Sequence, residues 1–489
     1  MSRRESDSGK RRQDQAGTFR RLLVALALGC GLALGSRVAS ANGRYPTAQQ
    51  LAVDPSDPNR LWLRATYGLV TSSDAGQTWD WICEPAVGYS ALEDPMLAVT
   101  ADGRVFAASQ EGLLASADRG CNWSADSSLG AAPIVDIALE SDGSHLLALV
   151  SQPADTHYDI VVYRSDDATQ NFTALGAPIA SDLLAETIDP APSDPSRIYV
   201  TGRRTSLEPL PDDTPAVFLR TRDGGASWER VPIMGTSLSD RAFIAAVDPI
   251  DPDVVYVRVQ GESKSDGSVI ESFLLRTADA GDHWQEIFRG PADMLGFSLN
   301  EDGSEVLLGL GDSHDRNGVR AVDPDALGVY RGDAPDFAFE HVSDGQVSCL
   351  TRSSSGLFMC SNQAAAAYEL GLSTDDGSSA TPLLQLGDIR GPLACGDTGL
   401  MCSASWSTSC TLLGKCNVNS ASAADAGAES IPGDSAKPAD TANGCGVAAR
   451  ARAPEPQQAY GASAALLLGA AVARRRKRRT CSTLRPAKT

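Results

Sequence analysis

The chain has 489 residues and a net charge of −20, with 21% charged and 6% aromatic residues. This length allows one large closed fold or several small domains. The charge argues against a nucleic-acid-binding function, because an acidic surface repels a phosphate backbone.

Residues 1–41 have the layout of a secretory signal peptide. Arginines and lysines are frequent at the start, an apolar run covers residues 22–34, and Ala39-Ser40-Ala41 provides a small-residue cleavage site. We therefore predict export, with cleavage before Asn42. Cys30 offers the alternative of a lipoprotein signal, although it lies inside the apolar run and lacks the usual aliphatic residue three positions earlier.

One eight-residue pattern recurs along the chain at intervals of 41 to 56 residues. Its clearest copy, from Ser72 to Trp79, combines a hydroxyl residue, an aspartate, a glycine and a final tryptophan. Other clear copies begin at Ser116, Thr221 and Thr277, and weaker ones begin at Ser165, Gly332 and Ser373. An apolar strand, a polar turn and a second apolar strand precede each copy, so each unit is predicted to be a four-stranded meander.

Seven such units predict an all-β fold, a single seven-bladed β-propeller of four-stranded antiparallel blades over residues 42–394. Six or eight blades remain alternatives, because the sixth copy is degenerate. The turn between the first two strands is predicted at Asp-Pro pairs, as in Asp189-Pro190 of the fourth unit, or at Asp-Gly pairs.

The repeated pattern resembles the Asp-box, or BNR repeat, of sialidases, sortilin-type receptors and photosystem assembly factors. Its aspartate can accept backbone N–H bonds, its glycine adopts a backbone shape that other residues resist, and its aromatic residue can pack between sheets. We interpret the box as a folding device without a catalytic role. Its residues are Asp74, Gly76, Trp79, Asp118, Gly120, Trp123, Asp167, Phe172, Asp223, Gly225, Trp228, Asp279, Gly281, Trp284, Asp375 and Gly377.

The insertions between units fall on the face opposite the boxes, and long loops on a rigid scaffold are where binding residues usually lie. We therefore predict a ligand face there. Its candidates from the first two units are Tyr67, Glu84, Tyr89, Glu93 and Asp94. Its candidates from the insertions are Arg203, Arg204, Asp212, Asp213, Lys264, Asp266, His314, Asp315 and Arg316.

An even number of cysteines in an exported chain predicts disulfides. The candidates are Cys83, Cys121, Cys349, Cys360, Cys395, Cys402, Cys410 and Cys416. We expect Cys83 to pair with Cys121, which would join the first two blades. The last four cysteines are expected to pair locally within a Cys-rich extension at residues 395–416. A zinc site is a poor alternative, because the spacing lacks paired Cys-x-x-Cys motifs and no histidine lies near the cluster.

The end of the chain has the layout of an anchor. Residues 417–444 form a predicted disordered linker, because their composition cannot bury enough apolar surface to fold. Residues 445–489 contain Cys445, an apolar stretch and a cluster of basic residues. This arrangement resembles the MYXO-CTERM sorting tail, which implies processing near Cys445 and a place at the bacterial cell surface or outer envelope, with or without later release. A plain C-terminal anchor helix is the alternative.

The net charge differs between the two ends of the chain and the part between them. Residues 1–41 carry +5, residues 446–489 carry +9, and the remainder of the chain carries −34. The acidic part is suited to solubility, and it could attract cations or basic partners.

The leading hypothesis is a non-catalytic, surface-anchored propeller that binds an extracellular protein, peptide or glycan. Sialidases carry an Arg-Ile-Pro motif, whereas this chain has Arg44-Tyr45-Pro46 and no matched set of clamp arginines with a Tyr–Glu pair. Xyloglucan hydrolases of the same box class place two acids between two propellers, and this chain supplies one. We predict no catalytic, cofactor or metal residue, a monomer, and membrane contact only through the tail. The alternatives are a glycoside hydrolase of extracellular glycans, sialidase-like or another exo-glycosidase, and a structural envelope or assembly-factor protein.

Overall fold

The computed structural model describes residues 45–166, 171–205, 210–211, 213–261, 271–312 and 322–412. Over these ranges the chain forms the predicted all-β fold, a ring of seven four-stranded antiparallel blades. The predicted signal peptide, linker and tail lie outside the described residues, as do Asp167, Cys416 and Cys445. No helix within the described ranges combines the length and the apolar character needed to cross a bilayer.

Each blade is built from four consecutive strands, and the first strands of neighbouring blades pack against one another around a central channel. Blade 1 contains β1 (Ala48–Val53), β2 (Leu61–Ala65), β3 (Gly68–Ser72) and β4 (Trp79–Ile82). Blade 2 contains β5 (Met96–Val99), β6 (Val105–Ser109), β7 (Gly112–Ser116) and β8 (Ser124–Ala125). Blade 3 contains β9 (Ile134–Leu139), β10 (Leu146–Pro153), β11 (Tyr158–Ser165) and β12 (Phe172–Ala174). Blade 4 contains β13 (Leu183–Ala191), β14 (Asp194–Arg204), β15 (Val217–Thr221) and β16 (Glu229–Pro232).

The remaining blades and the C-terminal extension complete the ring. Blade 5 contains β17 (Arg241–Val247), β18 (Val255–Gln260), β19 (Ser272–Thr277) and β20 (Gln285–Gly290). Blade 6 contains β21 (Asp293–Leu299), β22 (Glu305–Gly311), β23 (Gly328–Asp333) and β24 (Glu340–Asp344). Blade 7 contains β25 (Cys349–Ser353), β26 (Gly356–Cys360), β27 (Leu370–Ser373) and β28 (Thr381–Leu384). Short helices are α1 (Glu84–Val87), α2 (Gln363–Ala366) and two 3₁₀ turns (Pro324–Ala326 and Leu386–Asp388), and the chain continues into β29 (Ile389–Pro392) and α3 (Gly396–Leu412).

Among the described residues, five of the loops between third and fourth strands share one hydrogen-bond pattern. In blade 1 the Ser72 hydroxyl donates to Asp74 Oδ1 at 2.8 Å and accepts from the N–H of Gly76 at 2.9 Å. The Asp74 carboxylate also accepts from the N–H and the hydroxyl of Thr78, at 2.9 and 2.6 Å. Equivalent bonds, with Asn122 or His283 side chains replacing the hydroxyl donor in two loops, surround Asp118, Asp223, Asp279 and Asp375. Each carboxylate is thus tied to its own loop.

These bonds favour the ionised form of the box aspartates. The hydrogen bond from the Ser227 side chain is the main cause that lowers the pKa of Asp223 to about 2. The hydrogen bond from the His283 ring has the same effect on the pKa of Asp279, which also falls to about 2. The box carboxylates therefore stay charged through the neutral pH range.

The box glycine is a point of close contact with the preceding blade. Gly225 has a φ of +94°, and a Cβ built on it would lie 2.7 Å from Cβ of Leu175. Gly281 repeats the arrangement against the ring of Phe218, at 2.8 Å. By contrast, the neighbouring Gly224 has a φ of +68° and open space around it. The box glycine therefore serves both the backbone conformation of its loop and the packing between blades.

The box tryptophans pack between neighbouring sheets, but to different depths. Trp79 is 1% exposed, and its indole N–H donates to the carbonyl of Leu383 in blade 7 at 3.2 Å. Trp284 is half-buried and packs edge-on against Phe218 of blade 4, with ring centroids 5.2 Å apart. Trp123 is half-buried too, so among these three tryptophans burial is deepest at the seam where the ring closes.

The predicted first turn of blade 4 is wrong in position. Asp189 and Pro190 lie inside β13, where they pair with Tyr199 and Ile198 of β14. The inner strand continues to Ala191, which makes this hairpin longer than its counterparts. Asp189 is therefore held on the inner strand of the ring, whereas the sequence pattern placed it in a surface turn.

The C-terminal extension closes the ring by clasping blades 1 and 2. Strand β29 runs parallel to β4 as a fifth strand on the outside of blade 1. Beyond it, Leu393 donates its N–H to the carbonyl of Trp81 at 2.8 Å, and the ring of Trp406 in α3 lies 5.6 Å from that of Trp81. The Thr398 hydroxyl donates to the carbonyl of Gly120 in blade 2 at 2.6 Å.

Two disulfides attach this extension, residues 389–412 and here called the clasp, to blades 1 and 2. Their partners differ from the predicted ones. Cys83 bonds to Cys402 and Cys121 bonds to Cys395, at sequence separations of 319 and 274. The expected Cys83–Cys121 bond and a local pair between Cys395 and Cys402 are therefore wrong. The reason is topological, because the end of the chain returns to the first two blades. A third disulfide joins Cys349 and Cys360 across β25 and β26.

Candidate functional site

The meander order of the strands sorts the loops onto two faces of the ring. The box face carries the box loops and the turns between first and second strands. The connection face carries the loops between second and third strands and the links from one blade to the next. The central channel joins the two faces, and the innermost strands form its wall.

The predicted ligand residues that the structure describes all fall on the connection face, but they do not form one group. They are Tyr67, Glu84, Tyr89, Glu93, Asp94, Arg203, Arg204 and Asp213. Tyr89 is 6% exposed within the hydrophobic cluster between blades 1 and 2, which leaves little of it for a ligand. Predicted residues outside the described ranges are Asp212, Lys264, Asp266, His314, Asp315 and Arg316.

Charged side chains from blades 4 and 5 meet at the connection-face end of the channel. We call Glu186, Arg203, Arg241, Phe243 and Arg258 the mouth cluster. Arg241 contacts Glu186 through two bonds of 3.1 and 2.6 Å, and Arg203 Nε lies 3.5 Å from the same carboxylate. The guanidinium groups of Arg241 and Arg258 lie 4.8 and 5.0 Å from the centre of the Phe243 ring. Both distances are within the range of cation–π attraction.

The surroundings of Arg258 show how strongly charge is concentrated at this end of the channel. Burial is the main cause that lowers the pKa of Arg258 to about 10, and the charges of Arg241 and Arg64 add to it, while Asp293 opposes it. Arg64 belongs to blade 1 and Asp136, which also acts on Arg258, belongs to blade 3. Groups from opposite sides of the ring therefore influence one another across the channel.

One inner-strand position joins each of three blades to the next. In blade 1, Gln50 accepts from the N–H of Leu97 at 3.0 Å. In blade 3, Asp136 accepts from the N–H of Ile188 at 3.0 Å. In blade 4, the Thr187 hydroxyl accepts from the N–H of Ile244 at 2.8 Å. Because three side-chain types make the same contact, Asp136 has a structural role at this position.

Asp136 and Asp189 nevertheless form a pair of carboxylates with raised pKa values. Burial is the main cause that raises the pKa of Asp136 to about 7, although the N–H groups of Ile188 and Ile137 oppose the shift. Burial also raises the pKa of Asp189 well above its ordinary value, and the charge of Asp136 adds to the effect. General acid–base catalysis commonly uses two acidic groups whose pKa values are shifted from their ordinary values.

A second buried acid lies at the seam between blades 7 and 1. Glu369 is fully buried, and its Oε1 accepts from the N–H of Gln363 at 2.9 Å. Burial raises the pKa of Glu369 to about 7. Burial and the charge of Glu369 raise the pKa of Tyr67 well above its usual value. Within the described residues, Glu369 Oε2 and the Tyr67 hydroxyl are buried and have no hydrogen-bond partner.

The sequence-based prediction missed most of these residues. Glu186, Arg241, Asp136, Asp189 and Glu369 all lie within or beside strands that read as apolar runs. A charged residue inside an apolar run was the sequence signal that could have identified them. The prediction searched the insertions instead, where loops are longest.

One group of possible metal ligands lies on the box face. The ligand atoms of Glu140, Asp142 and His145 all lie within 4.8 Å of one another. Glu140, however, makes two bonds of 2.6 and 2.7 Å to Arg164, and Asp142 pairs with the His145 ring at 2.5 Å. These charges are satisfied by protein partners.

Comparison with known proteins returns similar folds only. No protein-family profile and no curated protein sequence matches the chain. Among solved structures, an ancestral GH74 enzyme is 14% identical over 69% of this chain and 46% of its own, with a TM-score of 0.49. The GH74 xyloglucanase from Xanthomonas campestris is 17% identical over 64% of this chain and 50% of its own, with a TM-score of 0.40. YCF48 bound to D1 peptide is 13% identical over 54% of this chain and 74% of its own, with a TM-score of 0.35. The chain thus spans about half the length of the two GH74 enzymes, and similarity at this level says nothing of activity.

Proposed function

We propose that this protein is an exported, surface-anchored propeller that binds a protein, peptide or glycan without chemical turnover. The observation that supports it is the mouth cluster, where arginines, a carboxylate and an aromatic ring are fixed at one end of the channel. Fixed polar groups beside an aromatic surface at the mouth of a rigid scaffold are typical of ligand sites. The ligand would be recognised by charge and hydrogen bonding.

The proposal of export agrees with the disulfides that join described residues, because such bonds persist in oxidising compartments. We retain the signal peptide at residues 1–41, the propeller at 42–394, the extension at 395–416, the linker at 417–444 and the sorting tail at 445–489. The membership of the repeats in the Asp-box class and of the tail in the MYXO-CTERM class belongs to the same proposal. Fractionation of the producing cells and mass spectrometry of the mature ends would test it.

Glycoside hydrolysis is the second candidate, and the Asp136–Asp189 pair favours it. Hydrolysis of a glycosidic bond requires two carboxyl groups, one of which stays protonated near neutral pH. Asp136 meets the second condition, with a pKa of about 7. One observation argues against this candidate. In other blades, Gln50 and Thr187 occupy the position of Asp136 and make the same contact with a backbone N–H.

Binding assays on the full chain separate these functions. Glycan and peptide arrays would be probed with the full chain and with the R203Q and R258Q variants, which alter the mouth cluster. R222Q is the matched control, because Arg222 is exposed on the box face. We expect selective binding that both mouth variants weaken and the control leaves unchanged. Binding that ignores the mouth variants would contradict the proposal.

The same preparations would be incubated with fluorogenic glycosides. Turnover that disappears in D189N, with the fold retained, would establish the hydrolase instead of the binding function. Absence of both selective binding and turnover would favour the structural envelope or assembly role.

A further inference from the structure

The box face contains a cavity that the proposed connection-face site does not use. It has a volume of about 800 Å³ and lies at the box-face ends of the inner strands of blades 5, 6 and 7. This volume is in the upper part of the range for ligand pockets. The sequence analysis placed the ligand face on the opposite side of the ring, so it did not predict this cavity.

The floor of the cavity is apolar. Val247 and Pro249 contribute from blade 5, and Phe297 and Leu299 contribute from blade 6. Next to Pro249, in the turn between β17 and β18, the side chain of Ile250 is 66% exposed, so apolar surface continues beyond the cavity on the box face. A ligand that covers this surface must carry more than one apolar group.

The rim of the cavity is acidic. Glu301 and Asp302 line it from the turn between β21 and β22, and both are exposed. Glu301 forms no ion pair within the part of the chain that the structure describes. Hydrogen bonds from the side chain and N–H of Ser304 lower the pKa of Asp302, so its carboxylate stays ionised.

The single cation of the rim does not neutralise these acids. Arg352 lines the cavity from blade 7, where its guanidinium pairs with Glu305 and, at 3.1 Å, with Asp376. Its charge is already shared between two carboxylates. The cavity therefore presents an apolar floor beside uncompensated negative charge.

We propose that this cavity is a second binding site, which takes an extended peptide segment of a partner protein with apolar side chains next to lysine or arginine. The apolar side chains enter the cavity and cover Ile250, and the basic side chains meet Glu301 and Asp302. Burial of apolar groups supplies the affinity, and the charged rim supplies selectivity and a faster association rate. Phosphorylated or other acidic ligands are disfavoured by the same rim.

The test uses fluorescence anisotropy with the full chain and a labelled hexapeptide that contains two leucines and two lysines between glycines. One comparison peptide replaces the lysines by glutamates, and another replaces the leucines by serines. We expect saturable binding of the leucine–lysine peptide that weakens as salt rises, and at least about tenfold weaker binding of both comparison peptides. Equal binding of the glutamate peptide, or no binding at about 1 mM peptide, would overturn the proposal.

Two variants locate the binding. Ser354 is an exposed lining residue, and S354W places a large ring in the cavity, so we expect at least about tenfold weaker binding. E301Q removes one rim charge, and we expect roughly threefold weaker binding with a smaller salt dependence. E111Q is the matched control, because Glu111 is exposed on the connection face. Thermal melting would verify that each variant is folded.

Other outcomes distinguish binding in this cavity from binding at the connection face and from occupation of the cavity by the chain's own tail. Unchanged binding in S354W and E301Q would overturn the proposal, and loss of binding in R203Q would assign the peptide to the mouth cluster instead. Binding that appears only after removal of residues 459–489 would identify the chain's own basic tail as the occupant and would also overturn it. Retention of binding in R203Q with loss in S354W is the supporting result.

Discussion

Two adjacent glycines in the box loop of blade 4 provide a matched test of how the blades are held together. Gly225 has a φ of +94°, and its added Cβ would lie 2.7 Å from Cβ of Leu175 in blade 3. Gly224 also has a positive φ, +68°, but a Cβ there would meet nothing within 4 Å. The variants G225A and G224A therefore add the same methyl group in a crowded and in an open place.

The expected costs differ because only one variant collides with a neighbouring blade. G225A combines backbone strain of about 1–3 kcal/mol with overpacking of about 1–3 kcal/mol, so we expect a loss of about 2–6 kcal/mol in the free energy of unfolding. G224A should change this free energy by less than about 1 kcal/mol, because strain and the reduced entropy of the unfolded chain oppose each other. Alanine already occupies the equivalent position in Ala75 and Ala280, each with a φ of +57°.

Guanidinium chloride titration followed by tryptophan fluorescence would measure both variants against the parent chain with its disulfides intact. A shift of the midpoint without a change of slope reports a change in stability alone. Equal losses in the two variants would show that the backbone conformation matters and that the contact with Leu175 does not. A larger loss in G224A would refute the reasoning altogether.

Three further changes have defined outcomes. Replacing Cys83 and Cys402 by serine leaves the Cys121–Cys395 bond in place, so in the unfolded chain it opens a loop of only about 45 residues, about 38 from Cys83 to Cys121 and about 7 from Cys395 to Cys402. The free energy of unfolding should fall by about 4 kcal/mol in denaturant titrations. Burial raises the pKa of Glu369 from 4.5 to about 7, so its ionisation opposes folding and stability should fall as the pH rises from about 4.5 to about 7. Melting curves at pH 5 and pH 8 would measure this fall in the free energy of unfolding, and E369Q should make it roughly 3 kcal/mol smaller. The same fall in E369Q as in the parent chain would contradict the assignment to Glu369. W79A should cost about 3–5 kcal/mol because Trp79 is 1% exposed, whereas W123A, at a half-buried position, should cost about half as much in the same titration.

The ring and its blade count were predictable because their signals are local. The hydrogen bonds of each box join residues two and four positions apart, as from Ser72 to Asp74 and from Thr78 to Asp74. Such contacts recur in the loops of Asp118, Asp223, Asp279 and Asp375, and the seven copies of the pattern, clear and weak together, equal the number of blades. The turn of blade 4 was misplaced because Asp189-Pro190 satisfies the pattern of a turn while it pairs within a long hairpin.

The candidate sites were less predictable because they depend on residues that are distant in the chain. Arg241 meets Glu186 across a separation of 55 residues, and Arg258 is influenced by Arg64 across the channel. The raised pKa of Asp136 results from burial, which a sequence pattern does not report. The disulfide partners were wrong for the same reason, because they follow from closure of the ring.

The clasp determines how the ring responds to mechanical tension at its C-terminal end. A pull on the chain beyond α3 reaches the sulfur bridge from Cys402 to Cys83, and then the bridge from Cys395 to Cys121, before it reaches blade 7. The load therefore passes into blades 1 and 2 through covalent bonds, and blade 7 is shielded from unzipping. Reduction of both bridges would reverse this order, so that traction would peel β29 and then the last blade.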